Sequence, residues 1–327
     1  MTRSSRTATA FGLASLMLLA THIELVRAQD FSDRPIRMIV GVAAGGATDV
    51  TGRIIAQELS QSLKTPVLVE NKPGAFFIPA YRELVGAPPD GHTVFMISAS
   101  TVVTQPSRKN FPYDIRKLSA ITEVSAGPFI LTSRKSLNLK NVGDLVAYGK
   151  KNPGQLKFGS GGGAGSSLSL SAELLRLRAG IAIINVPYKG AANALTDLLG
   201  GSIDAMFDAL PVEVGQVKNG AVTGLAVTSG KRSPALPEVP TMIESGYKDF
   251  ETYNYFGLLA PPNTPPDIVQ KLRDATAKAL QSPKVIATFE EQGMTPVGNQ
   301  PAEFAKMLSD DLDRWTQVIR EAGIEPQ

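Results

Sequence analysis

Twice in this chain a strand-length apolar run hands over, through a glycine-rich turn, to a helical pattern, and no other feature constrains the fold as much. Residues 36–42 run into Ala43-Ala44-Gly45-Gly46 and then into a helix with Val50, Ile54, Ile55, Leu59 and Leu63 on one side. Residues 156–158 run into Gly-Ser-Gly-Gly-Gly-Ala-Gly-Ser-Ser at 159–167, ahead of a helix carrying Leu170, Leu174, Leu175 and Leu177. Further strand-like runs at 66–69, 93–98, 129–132, 181–186, 203–207 and 224–228 alternate with helical stretches. That alternation predicts an α/β fold with parallel sheets covered by helices on both faces. After a strand at 256–260 and the breaker Pro261-Pro262 the pattern turns helical, at 266–281, 283–292 and 301–322, each opening beside a proline.

Composition narrows the class. Arg3 and Arg6, an apolar run at 11–20 and Val26-Arg27-Ala28 read as a secretory signal cleaved before Gln29. Its ten apolar residues fall short of the roughly 20 that a membrane-spanning helix needs. The chain has no cysteine, which removes disulfides, thiolate metal sites, a cysteine nucleophile and a lipid anchor, and fits a freely diffusing periplasmic protein rather than a lipoprotein. The leading segment holds Arg3, Arg6, Arg27 and Glu24, so the remainder carries a net charge of +1, against a nucleic-acid partner. The 299 residues left correspond to about two domains of roughly 150 each.

Histidine limits catalysis. Beyond the signal only His92 remains, so a serine-histidine-acid triad would have to use it, and a multi-histidine metal site is excluded. The two glycine turns are stronger candidates. Glycines let backbone approach a ligand, and free N–H groups of a first helical turn favour an anion. Thr48 or Asp49 can cap the first helix, and Ser160, Ser166, Ser167 and Ser169 offer hydroxyls around the second. The first turn also reads as a plain strand-to-helix connection. Neither completes a phosphate loop. In open parallel sheets ligands lie beyond the carboxyl ends of strands, where both turns belong.

Specific residues go further: Arg34-Pro35-Ile36-Arg37, the first turn through Asp49, residues 69–75 (Val-Glu-Asn-Lys-Pro-Gly-Ala), 89–93 (Pro-Asp-Gly-His-Thr), the second turn with Glu173, 186–190 (Val-Pro-Tyr-Lys-Gly), 200–204 (Gly-Gly-Ser-Ile-Asp), and 237–241 (Pro-Glu-Val-Pro-Thr) with Glu244 and Gly246. In this order they resemble the periplasmic receptors of tripartite tricarboxylate transporters, the Bug receptors. The resemblance implies a type II periplasmic-binding fold: two lobes of mixed, mostly parallel sheet flanked by helices and joined by crossing strands. The expected lobes are 29–124 with 252–327, and 125–251. It implies ligand contacts from Ala44, Gly45, Gly46, Ala47, Thr48 and Asp49 on one wall and Ser160, Gly161, Gly165, Ser166 and Ser167 on the other, with Ser98 in the same set. Asp208 either faces the ligand or is a capped turn acid.

The chain departs from the family's pattern at Gly41, where proline is usual, at Ser169, where histidine is frequent, at Phe76-Phe77, where glycine is usual, and at 253–256, where a tryptophan is usual. Phe76, Phe77, Ser169 and Tyr255 are therefore candidate pocket lining, joined by Tyr188 of the matching motif; the rings of Phe76, Phe77 and Tyr255 would favour an aromatic or bulky acid, or else pack in the core. The function implied is capture of a small carboxylate, whether a di- or tricarboxylate, an acidic amino acid or an aromatic acid. A monomer would pass it to membrane permease subunits in transient contact, with no enzymatic step, cofactor or metal. Docking on a sensor domain is the signalling alternative, and a secreted hydrolase using His92 is the third.

Overall fold

The protein is described by a computed structural model covering residues 34–326 apart from 46, 162–164, 189 and 292; the expected signal, 1–28, lies outside the described residues. In chain order the elements are β1 (Ile36–Val40), α1 (Ala47–Leu63), β2 (Val67–Asn71), α2 (Ile78–Val85), β3 (Thr93–Ser98), α3 (Ala99–Thr104), β4 (Ser119–Arg134), α4 (Val142–Lys151), β5 (Leu156–Gly161), α5 (Ser167–Ala179), β6 (Ile183–Tyr188), α6 (Ala191–Gly200), β7 (Ala205–Ala209), α7 (Leu210–Lys218), β8 (Val222–Val227), β9 (Tyr253–Ala260), α8 (Pro266–Ala279), α9 (Pro283–Glu291), β10 (Thr295–Pro296) and α10 (Pro301–Glu321).

β1 is apolar on both faces because both are covered. Met38 and Val40 pack under α1 with Ile55 and Leu59, while Ile39 joins Tyr81, Phe95 and Phe304 on the other side. Each such fully buried side chain contributes roughly 1.5–3 kcal/mol. The strand order is β2-β1-β3-β9-β4-β7-β5-β6, with β8 and β10 also paired to β4. β1 runs parallel to β2 and β3, and β5 runs parallel to β6 and β7. All pairings of β4 and β9 are antiparallel, so the sheet is mixed, with less parallel pairing than expected.

β4 joins the two halves. Its residues 119–128 pair with β9, and from Phe129 onward it pairs with β7 and β8. The switch falls at Pro128, which has no N–H to give a ladder. Only 129–132 of this strand stands out in the sequence, because Ser119, Thr122, Glu123 and Ser125 break up the apolar run before the proline. The second half has its own core, where Phe158 stacks on Phe207 and Phe207 on Phe250. α10 spans both cores: Phe304, Leu308 and Leu312 pack in the first, and Trp315, Val318 and Ile319 in the second. Its expected proline start is reinforced by a capping box, in which Glu303 accepts from the Gln300 backbone N–H at 3.0 Å.

Two strands sit two residues later than the expected 181–186 and 203–207. Gly180, at φ 60°, caps α5, and Ile181 still bonds back to Arg176, so the chain extends only from Ile183. Ile203 is a loop residue plugged into the cluster of Ala194, Leu198 and Met206.

Candidate ligand-binding cleft

Four strands, β1, β3, β5 and β7, end at one cavity of about 460 Å³, and the helices α1, α3, α5 and α7 begin there. This is the edge where open α/β sheets bind ligands. From the first half come Val42, Thr48, Phe76, Phe77, Ser98, Ser100, Thr104, Ser107 and Arg108; from the second, Phe129, Gly161, Gly165, Ser166, Ser167, Leu168, Asp208 and Ala209; Asn254 of β9 completes the wall. Two larger cavities, about 660 Å³ beside Pro128 and Pro211 and about 520 Å³ beside Glu123 and Tyr255, gather neither glycine turn.

The first turn is built by its acid. Asp49 is 2 % exposed and faces inward, accepting from the Gly45 N–H at 2.9 Å, from Arg53 Nε at 3.0 Å and from Asn71 Nδ2 at 2.8 Å. Asn71 also donates to the Val42 carbonyl at 3.0 Å, which ties the turn to β2. Burial works against the Asp49 charge, but Arg53, the Gly45 amide and Asn71 outweigh it and hold the carboxyl at about 2. Gly45 sits at φ 88°, where a side chain would be strained. Thr48 lines the cavity; Ala44, Gly45 and Ala47 are exposed in the same turn, and Gly46 is outside the described residues.

The second turn positions a helix start. Ser166 caps α5, accepting from the Ser169 N–H at 3.2 Å and donating to the Gly161 carbonyl at 3.0 Å. Backbone N–H groups of the first turn of α5 thus lie at the cavity, at the favourable end of the helix dipole for an anion. Ser160 and Ser169 do not reach the cavity wall. They are linked through Asn185, which accepts from Ser160 and donates to Ser169 at 2.7 Å. Tyr188 bonds Asp197 at 2.6 Å and Tyr255 bonds Asp311 at 2.8 Å, both away from this cavity.

Phe76 and Phe77 do line it. Both hold left-handed backbone, at φ 61° and 62°, a costly state for bulky residues that tends to occur at functional sites. Gly41 makes room for this wall: a Cβ there would come within 2.8 Å of the Phe77 ring. Arg108 stacks on Phe76, its guanidinium carbon 3.1 Å from the ring centroid. Arg108 was missed from sequence, although the segment after the strand Thr93–Ser98 leaves a carboxyl edge of the sheet and was there to be read.

Asp208 ends β7. It is 2 % exposed, accepts from the Ala209 N–H through Oδ1 at 2.7 Å, and its Oδ2 has no hydrogen-bond partner among the described residues. Burial pushes its carboxyl up to about 6 against the opposing Ala209 bond. Glu213 in α7, fully buried, is pushed up to about 7 by burial and then by the Asp208 charge. Among the described residues no group of acids, histidines or cysteines is arranged to hold a metal ion, and no helix is long and apolar enough to cross a membrane.

Residues 51–324 match the family described as tripartite tricarboxylate transporter family receptor. Protein BugT of Bordetella pertussis is 36 % identical over 301 residues, covering 91 % of this chain and 92 % of BugT. The solved periplasmic binding protein BugD is 33 % identical with a TM-score of 0.72, over 90 % of this chain and 99 % of that one. An R. palustris protein solved with adipate is 30 % identical with a TM-score of 0.75, again over 90 % and 99 %.

Proposed function

This chain belongs to the tripartite tricarboxylate transporter receptor family, a family of periplasmic solute-binding proteins, and we propose that it captures a small carboxylate in the cavity described above and hands it to membrane permease subunits. The observation that carries this reading is the convergence on one cavity of Thr48 from α1, the first turn of α5 and the Arg108 guanidinium. Oriented amides and a guanidinium are what a carboxylate needs once it leaves water. The R. palustris protein solved with adipate supports a carboxylate as the ligand class.

In this reading, residues from Gln29 to about 124 with those from about 252 form one lobe and 125–251 the other. The walls close on the ligand, and the closed form is what the permease recognises. Secretion to the periplasm through a cleaved leader, and action as a monomer, belong to the same proposal. The role is binding and release without turnover.

The test is a thermal-shift screen of the chain from Gln29, unfolded and refolded to strip carried-over ligand, against aliphatic and aromatic acids. An acid at 100 times its Kd should stabilise the fold by roughly 2.7 kcal/mol. A folded sample that responds to no acid would sink the carboxylate reading.

A further inference from the structure

Resting on that receptor reading, we propose that the acid selected by the cleft carries one carboxylate and, at its far end, an N–H or O–H donor in place of a second carboxylate, received by Asp208.

The cavity is asymmetric. Among its described lining residues Arg108 is the one cation and Asp208 the one acid, and they come from opposite halves of the sheet. Oδ1 of Asp208 is taken by the Ala209 N–H, whereas Oδ2 is buried with no partner among the described residues. A carboxylate oxygen in that condition is costly, and a donor on the ligand removes the cost. Glu213, near enough for the Asp208 charge to raise its carboxyl, is also fully buried, with only the Thr132 hydroxyl beside its carboxyl oxygens among the described residues. The Asp208 charge in a low-dielectric surrounding repels a second ligand carboxylate and attracts a donor. Phe76, Phe77, Phe129 and Leu168 supply apolar surface for the body of the molecule. Asp208, though held up to about 6 by burial, is mostly ionised at neutral pH and able to accept.

The experiment is calorimetric titration of the refolded protein with two matched series: adipate, ω-hydroxyhexanoate, ω-aminohexanoate and hexanoate; then terephthalate, para-hydroxymethylbenzoate, para-aminomethylbenzoate and benzoate. In the better-binding skeleton the hydroxy or amino acid should bind at least about ten-fold tighter than the diacid; which of the two leads identifies a neutral or a cationic donor. Asp208→Asn, whose amide can donate to a carboxylate, should narrow that ratio to less than about two-fold or reverse it. A diacid that binds wild type more tightly than both donor acids overturns the inference, with no variant needed, and leaves the receptor reading standing. An unchanged ratio in Asp208→Asn overturns it as well. If none of the eight acids binds the folded wild type while another acid in the thermal-shift screen does, this inference is overturned and the receptor reading stands; if no acid binds at all, both fall.

Discussion

Asn71 donates its side-chain amide to Asp49 Oδ1 at 2.8 Å, so the turn after β1 is clamped from the neighbouring strand β2 as well as by its own helix. The clamp is charged, because Arg53 and the Gly45 amide also bond to Asp49. Asp49→Ala leaves these donors without their acceptor and should cost about 2 kcal/mol at pH 7, read from urea unfolding. Since the folded carboxyl lies at about 2, below its ordinary 3.8, the contribution is present above about pH 4 and lost as pH falls towards 2. The gap between wild type and Asp49→Ala should close over that window.

The opposite sign applies to Asp208, Glu213 and Glu123. Burial raises them to about 6, 7 and 7, above their ordinary 3.8, 4.5 and 4.5. Between about pH 5 and 7 these three acids therefore hold more protons in the folded protein than in the unfolded chain, and their share of the stability falls as pH rises through that range. Melting temperature should be higher at pH 5 than at pH 8. The double variant Asp208→Asn/Glu213→Gln should flatten the slope, by on the order of 2 kcal/mol for each group. A slope unchanged in the double variant would show that these two acids do not carry it.

Gly41 and Phe77 are coupled by space. Gly41→Ala brings a Cβ within 2.8 Å of the Phe77 ring and 3.3 Å of Ala80, so the ring has to move. Alone, Gly41→Ala should weaken ligand binding several-fold; in a Phe77→Ala background it should cost little. The double-mutant cycle should give a coupling energy of about 1 kcal/mol or more, in affinity or in stability.

Arg108 supplies the charge of the cleft. Arg108→Ala should lower affinity for the bound acid at least about ten-fold and weaken its dependence on salt, since a charge-assisted hydrogen bond is worth roughly 1.5–3 kcal/mol. Arg108→Lys should recover only part of the loss, because an ammonium does not stack on Phe76 as a planar guanidinium does.

The two glycine turns and most of the strands were legible in the sequence because an apolar strand, a small-residue turn and an amphipathic helix are each local patterns. The walls of the cleft at Thr48, Gly165, Ser166 and Ser167 follow directly from them. Three kinds of feature were not legible. Phe76 and Phe77 could be suspected as lining but not distinguished from core residues, because their direction depends on left-handed backbone that no propensity foretells. Tyr188, Tyr255 and Ser169, also candidate lining, bond to Asp197, Asp311 and Asn185 instead, each on another element. The crossing strand β4 hides its first half because Ser119, Thr122, Glu123 and Ser125 interrupt its apolar run, and its partner switch at Pro128 is a tertiary event.

The most direct test of the central claim is calorimetry of the best-binding acid from the screen against refolded wild type and Arg108→Ala. The expected result is one-site binding by wild type, weakened at least about ten-fold in the variant while its melting temperature stays near that of wild type. Equal affinity in the two proteins would place the acid outside this cleft and contradict the account.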